Sequence, residues 1–120
     1  MGANMKKKDG VGKPPFDLKR AKGMINKLVL IGLTYYSHKG EFIEQKQMHG
    51  KIISVDKHNG LKIELKGSRE GETYWLPPDL RSFKEAKSGE YRERSTGDIV
   101  IDPDFLTSWE VTKPPPDFES

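Results

Sequence analysis

His49-Gly50-Lys51-Ile52-Ile53-Ser54-Val55-Asp56-Lys57-His58-Asn59-Gly60-Leu61-Lys62-Ile63-Glu64-Leu65 is the stretch whose reading decides the fold. Apolar and polar residues alternate on both sides of Asn59-Gly60. Ile53 and Val55 fall on one face of the first run, and Leu61, Ile63 and Leu65 on one face of the second. Asn-Gly between two such runs predicts an antiparallel hairpin, because both central residues of a tight turn take positive φ. The expected strands are 51–56 and 61–66, with Ile53, Val55, Leu61, Ile63 and Leu65 buried.

The same alternation extends in both directions. Lys27 to Tyr36 reads as a strand with Val29, Ile31, Leu33 and Tyr35 on one face, while Leu28 and Leu30 begin the other. That second apolar row needs a cover. A short helix over 17–25, with Asp17 as its N-cap and Leu18, Ala21 and Ile25 at helical spacing, is one candidate, and a partner is the other. Glu41 to Gln47 reads as a strand running into 49–56 through a bend at Gly50. Downstream, Thr73 to Leu76 forms a short strand ended by Pro77-Pro78, and Leu80 and Phe83 pack at i, i+3 in one helical turn. Tyr91–Arg94 and Asp98–Ile101 pair across Ser95-Thr96-Gly97. Phe105, Thr107, Trp109 and Val111 alternate as a last strand. Five to seven short strands with frequent turns imply a mostly β chain, folded as a small bent antiparallel barrel with a short N-terminal helix.

The 120 residues make one domain. Residues 1–15 read as a flexible basic arm, 16–112 as the barrel and 113–120 as a disordered tail. With 33% hydrophobic and 32% charged residues and no cysteine, disulfides and cysteine–zinc sites are excluded. The longest apolar run, Leu28 to Leu33, is far below the ~20 residues of a membrane span. No apolar segment follows Lys6-Lys7-Lys8, so the expected location is cytoplasmic, with no membrane partner. Charge is divided unevenly: residues 1–27 carry eight Lys/Arg against two Asp, and residues 28–120 carry thirteen Lys/Arg against sixteen Asp/Glu. The arm is basic and the body mildly acidic, so a phosphate-binding surface on the body has to be local.

The order helix, strand, glycine-containing bent strand, turn and apolar strand resembles the Sm-like branch of the Src-homology-3-like small barrels. Gly50…Asp56…Leu61-Lys62-Ile63-Glu64-Leu65 is similar to the first Sm motif, and Arg94-Ser95-Thr96-Gly97-Asp98-Ile99-Val100 to the second. The resemblance covers residues 17–66. Gly60 stands where that family usually carries a base-holding asparagine, Asn59 lies one place earlier, Ser95-Thr96 interrupt the second motif, and the stretch from Tyr74 to Gly89 is long. What the resemblance implies is an Sm-like fold and, through it, RNA binding.

No catalytic motif is present. Gly10 to Lys13 lacks the spacing of a P-loop, and there is no nucleophile elbow or zinc-protease helix. The reading is therefore a non-enzymatic interaction or accessory module without cofactor or metal. His38, His49 and His58 sit beside turns at a spacing that matches no ligand pattern, and they read as polar turn residues. The candidate surface for a protein or peptide partner is Tyr36, Tyr74, Trp75, Pro77 and Pro78, because an aromatic–proline wall is how small barrels grip extended peptides. Capping of the core by the Leu76–Phe83 segment competes with that reading. The alternative function is nucleic-acid binding through the basic arm, with Lys6, Lys7, Lys8, Arg20, His58, Asn59 and Arg94 as its residues. A monomer is expected.

Overall fold

The computed structural model describes residues 16–115. The expected basic arm, with Lys6, Lys7 and Lys8, and all but the start of the tail lie outside the described residues. Helix α1 is Leu18–Lys22. The Asp17 carboxylate accepts the Arg20 backbone N–H at 2.9 Å, which satisfies one of the free donors of the first turn. Eight strands follow: β1 Leu28–Tyr36, β2 Phe42–Asp56, β3 Gly60–Leu65, β4 Thr73–Leu76, β5 Lys84–Glu85, β6 Glu90–Arg92, β7 Ile99–Ile101 and β8 Phe105–Thr112. No described helix is long and apolar enough to cross a membrane.

The main sheet has the order β4-β3-β2-β1-β8-β5, and β6 pairs with β7 as a separate hairpin. β1 is antiparallel to β2, with Leu28 opposite Lys51 and Leu30 opposite His49. On its other side β1 is parallel to β8, from Val29 opposite Phe105 to Tyr36 opposite Thr112. The Asp104 carboxylate locks the start of this pairing by accepting the Leu28 backbone N–H at 2.8 Å.

The expected small bent antiparallel barrel is corrected by this topology. The sheet is mixed and open, because its outer strands β4 and β5 do not pair with each other. β5 has two residues, β4 has four, and Pro77-Pro78 deny β4 the N–H groups that would extend it. Neither edge is long enough to close the sheet.

One face of the sheet carries the core. Val29, Ile31 and Leu33 of β1, Met48 and Ile52 of β2, and Leu61, Ile63 and Leu65 of β3 pack with Ala21 and Met24 from the helix end and with Leu76, Leu80 and Phe83. The Leu80–Phe83 turn closes through the Phe83 N–H to the Leu80 carbonyl at 3.1 Å. Two expectations change here. The β2 side chain that enters the core is Ile52, fully buried, while Ile53 is only half-buried. The register shifts between Ile52 and Ser54, so Ile53 is the extra residue of a β-bulge and Val55 returns to pack against the core. The turn is not the two-residue Asn-Gly type either. Asp56 pairs with Gly60 across Lys57-His58-Asn59, and the positive φ falls on Gly60 alone, at +99°. The Asp56 carboxylate accepts the backbone N–H groups of His58 (2.8 Å) and Asn59 (2.7 Å), which stabilise the wider turn.

Helix α1 packs on the core face and not over Leu28 and Leu30. Leu30 and Val100 are both buried outside the main cluster. Val100 lies on β7 itself, and the β6–β7 hairpin reaches the second face beside Leu30 through Glu93 and His49.

Candidate functional site

The second face carries polar residues because β2 alternates. Met48 points into the core, so Gln45, Gln47 and His49 point the other way, with Gln47 opposite Gly32 and His49 opposite Leu30 on β1. The loop joining β6 to β7 lies over this row and is held by side chains. His49 Nδ1 donates to Glu93 Oε2 at 2.5 Å. The Thr96 hydroxyl donates to Glu93 Oε1 at 2.7 Å. The Arg94 backbone N–H donates to Gln47 Oε1, and the Gln47 backbone N–H donates to the Ser95 hydroxyl at 3.2 Å. The Asp98 carboxylate accepts both the backbone N–H and the hydroxyl of Ser68, each at 2.8 Å. The Ser68 backbone N–H, and after it the Ser68 hydroxyl, hold the Asp98 carboxyl below the usual carboxylate range.

Burial sets the character of this cluster. Glu93 is 1% exposed and His49 8%. Nearly complete removal of a carboxylate from water is tolerable only with partners on both oxygens, which His49 and Thr96 supply. The nearest ligand-type atoms of His49, Glu93 and Asp98 all lie within 4.8 Å of one another. Gly67 packs against them: a Cβ there would collide with the Asp98 carboxylate and the His49 ring, and its φ of +65° also favours glycine.

Beside the cluster is a cleft of about 240 Å³. Gly32 forms its floor, Thr34, Gln45 and Ser108 its sides, and Arg94 and Ser95 its hairpin wall. Its lining contains no carboxylate. Arg94 and Lys46 both line the cleft, and neither makes an ion pair among the described residues, so it holds two basic residues, with Lys46 Nζ over the Tyr35 ring at 5.6 Å, beside several hydroxyl and amide groups.

Ser108 connects the cleft to the outer side of β8. That strand has eight residues, but β5 pairs only with Phe105 and Leu106. Among the described residues no strand pairs with the outer side of Thr107 to Thr112. The opposite edge, β4, is four residues long and ends at Pro77-Pro78.

The residues expected to form one binding surface are dispersed. Tyr36 ends β1, pairs with Phe42, and packs edge-on against that ring at 6.5 Å. Trp75 pairs with Lys62, which in turn pairs with Ser54, so Tyr36 and Trp75 lie at opposite ends of β2. Tyr74 packs against the core, and burial pushes its phenol up. Trp75 is 43% exposed, with Lys62 Nζ 5.9 Å from the ring centre. Pro77 is exposed and Pro78 half-buried. The nucleic-acid set does not converge either: Arg20 is on α1, His58 and Asn59 are at the β2–β3 turn, and Arg94 is on the β6–β7 loop. His38 and His58 stay in turns, whereas His49 belongs to the buried cluster. Sequence reasoning missed Glu93, Asp98, Thr34, Gln45 and Ser108. The available signal was the polar row Gln45, Gln47, His49 on a strand whose other face is core. Compared with known proteins, the chain shows no significant match to any family model, curated protein or solved structure.

Proposed function

We propose that this chain is a non-enzymatic binding module that receives an extended, acidic segment of a partner polypeptide along β8. The observation that carries the reading is the open outer side of Ser108 to Thr112 beside a cleft lined by the basic residues Arg94 and Lys46. Folded proteins usually shield a free strand with prolines, lysines or bulges. β4 is four residues long and stops at Pro77-Pro78, whereas on β8 Ser108-Trp109-Glu110-Val111-Thr112 runs five residues with one charge before Lys113-Pro114 ends it. A strand added here gains main-chain hydrogen bonds, and a carboxylate side chain on it reaches Arg94 with charge-assisted hydrogen bonds. Peptides selected from a random display library test this. The expected winners are β-prone and carry Asp or Glu. Their titration should shift the amide signals of 106–112, and Arg94→Glu or Ser108→Lys should weaken them at least tenfold without unfolding the chain. Winners that shift only Trp75 and Pro77, or that ignore Arg94→Glu, would refute the assignment to β8.

A further inference from the structure

We propose that His49, Glu93 and Asp98 form a binding site for a divalent transition metal of the zinc class. Three observations lead there. The first is the donor set. One imidazole and two carboxylates lie within 4.8 Å of one another and suit Zn²⁺ with water as a fourth ligand, and the imidazole disfavours Mg²⁺ and Ca²⁺. The second is charge. Among the described residues no Lys or Arg pairs with Glu93 or Asp98. His49 is thus the one basic side chain against the two carboxylates among the described residues. The third is the outer shell. Thr96 holds Glu93 Oε1 and Ser68 holds Asp98, so each carboxylate is already oriented by a hydroxyl, the arrangement that tunes and steadies metal ligands. Gly67 leaves the space between Asp98 and the ring free of a side chain.

His49 Nδ1 and Glu93 Oε2 are hydrogen-bonded, 2.5 Å apart. Two ligand atoms on one tetrahedral Zn²⁺, with bonds of about 2.0–2.2 Å, stand about 3.3 Å from each other. Binding therefore opens that contact by about 0.8 Å through side-chain rotation, with the ion between the two ligand atoms. Because Glu93 and Asp98 bracket Arg94 and Ser95, the metal would also clamp the hairpin loop that forms one wall of the cleft.

Calorimetric titration of the EDTA-stripped full chain with ZnCl₂, paired with thermal melts, tests the site. The expected result is one ion per chain and a melting temperature raised by several degrees at saturating zinc. Mg²⁺ and Ca²⁺ should produce no shift. His49→Ala should abolish binding, while His38→Ala and His58→Ala should leave it unchanged. Should His49→Ala fail to fold, Asp98→Asn carries the test: Asp98 is only half-buried, and the variant should keep its circular dichroism spectrum while binding zinc at least tenfold more weakly. Failure of the folded wild-type chain to bind zinc saturably would overturn the proposal, leaving His49–Glu93 as a hydrogen-bonded structural pair. Binding that survives Asp98→Asn undiminished, depends on His38 or His58, or is matched by Mg²⁺ would overturn it equally.

Discussion

Removing His49 should cost more than removing Glu93, although the two touch only through one hydrogen bond. His49→Ala leaves the Glu93 carboxylate 1% exposed with the Thr96 hydroxyl as its one remaining side-chain donor. Breaking a buried pair from that side costs about 3–5 kcal/mol, most of it the penalty of an uncompensated charge. Glu93→Ala leaves a ring that can stay neutral. It loses the bonds to His49 and Thr96, each worth about 1 kcal/mol, so the total is about 2 kcal/mol before any cavity cost. Replacing both, as His49→Leu with Glu93→Met, removes the charge and keeps the volume, and should fall within about 1 kcal/mol of the parent. Urea unfolding in EDTA at neutral pH, followed by tryptophan fluorescence, measures all three, with unchanged m-values required for the comparison. If Glu93→Ala is as damaging as His49→Ala, or the double variant is worse than either single one, buried charge is not what governs this site.

Other outcomes follow from the β2–β3 region. Ile63→Ala should cost about 2–4 kcal/mol, because it empties a fully buried position, whereas Ile53→Ala, at the bulge, should cost under about 1 kcal/mol; equal losses in urea titrations would contradict the observed register. Gly60→Ala should destabilise by at least about 2 kcal/mol, since φ is +99° and the new Cβ would overlap the Leu76 carbonyl, and a thermal melt would show it. The Asn59 N–H, then the His58 N–H, lower the Asp56 carboxyl from its ordinary value, so its stabilising contribution is complete above about pH 4 and is lost as pH falls through the lower folded value. Acid melts of wild type and Asp56→Asn should therefore converge as the pH drops; a gap that widens toward acid would have the wrong sign.

Much of the fold is legible in local pattern. The Asp17 cap, the rows Val29-Ile31-Leu33 and Leu61-Ile63-Leu65, the Leu80–Phe83 turn and the alternation of β8 each follow from the residues themselves. What local pattern lacks is the identity of the neighbour. Alternation in Phe105 to Val111 defines two faces, but it does not say that the strand runs parallel to β1 or leaves its outer side open. Ile52 and Ile53 are chemically equivalent candidates for the core, and the bulge that selects Ile52 is decided by pairing with β3. The site was harder still. His49 and Glu93 are 44 residues apart, and only the placement of the β6–β7 hairpin on the second face brings them together. The aromatic–proline residues share chemistry but not place: a fifteen-residue strand keeps Tyr36 and Trp75 at opposite ends, a separation local pattern does not encode.

The parallel pairing of β1 with β8 has a consequence for synthesis on the ribosome. Leu28 and Asp104, which lock the two strands together, are separated by 76 residues. At about 5–20 residues per second, the latter half of the pair emerges about 4–15 s after the former. During that interval β1 can pair with β2, and β3 and β4 can add in turn, since each is joined to its predecessor by a short connection. The other side of β1 has no partner until β8 is made. The nascent chain thus presents an apolar strand, Leu28 to Leu33, with one edge unpaired, for the longest wait in its folding. Chaperone capture or aggregation of translation intermediates would be concentrated on chains stalled before residue 105, and slowing elongation between β4 and β8 would prolong that exposed state.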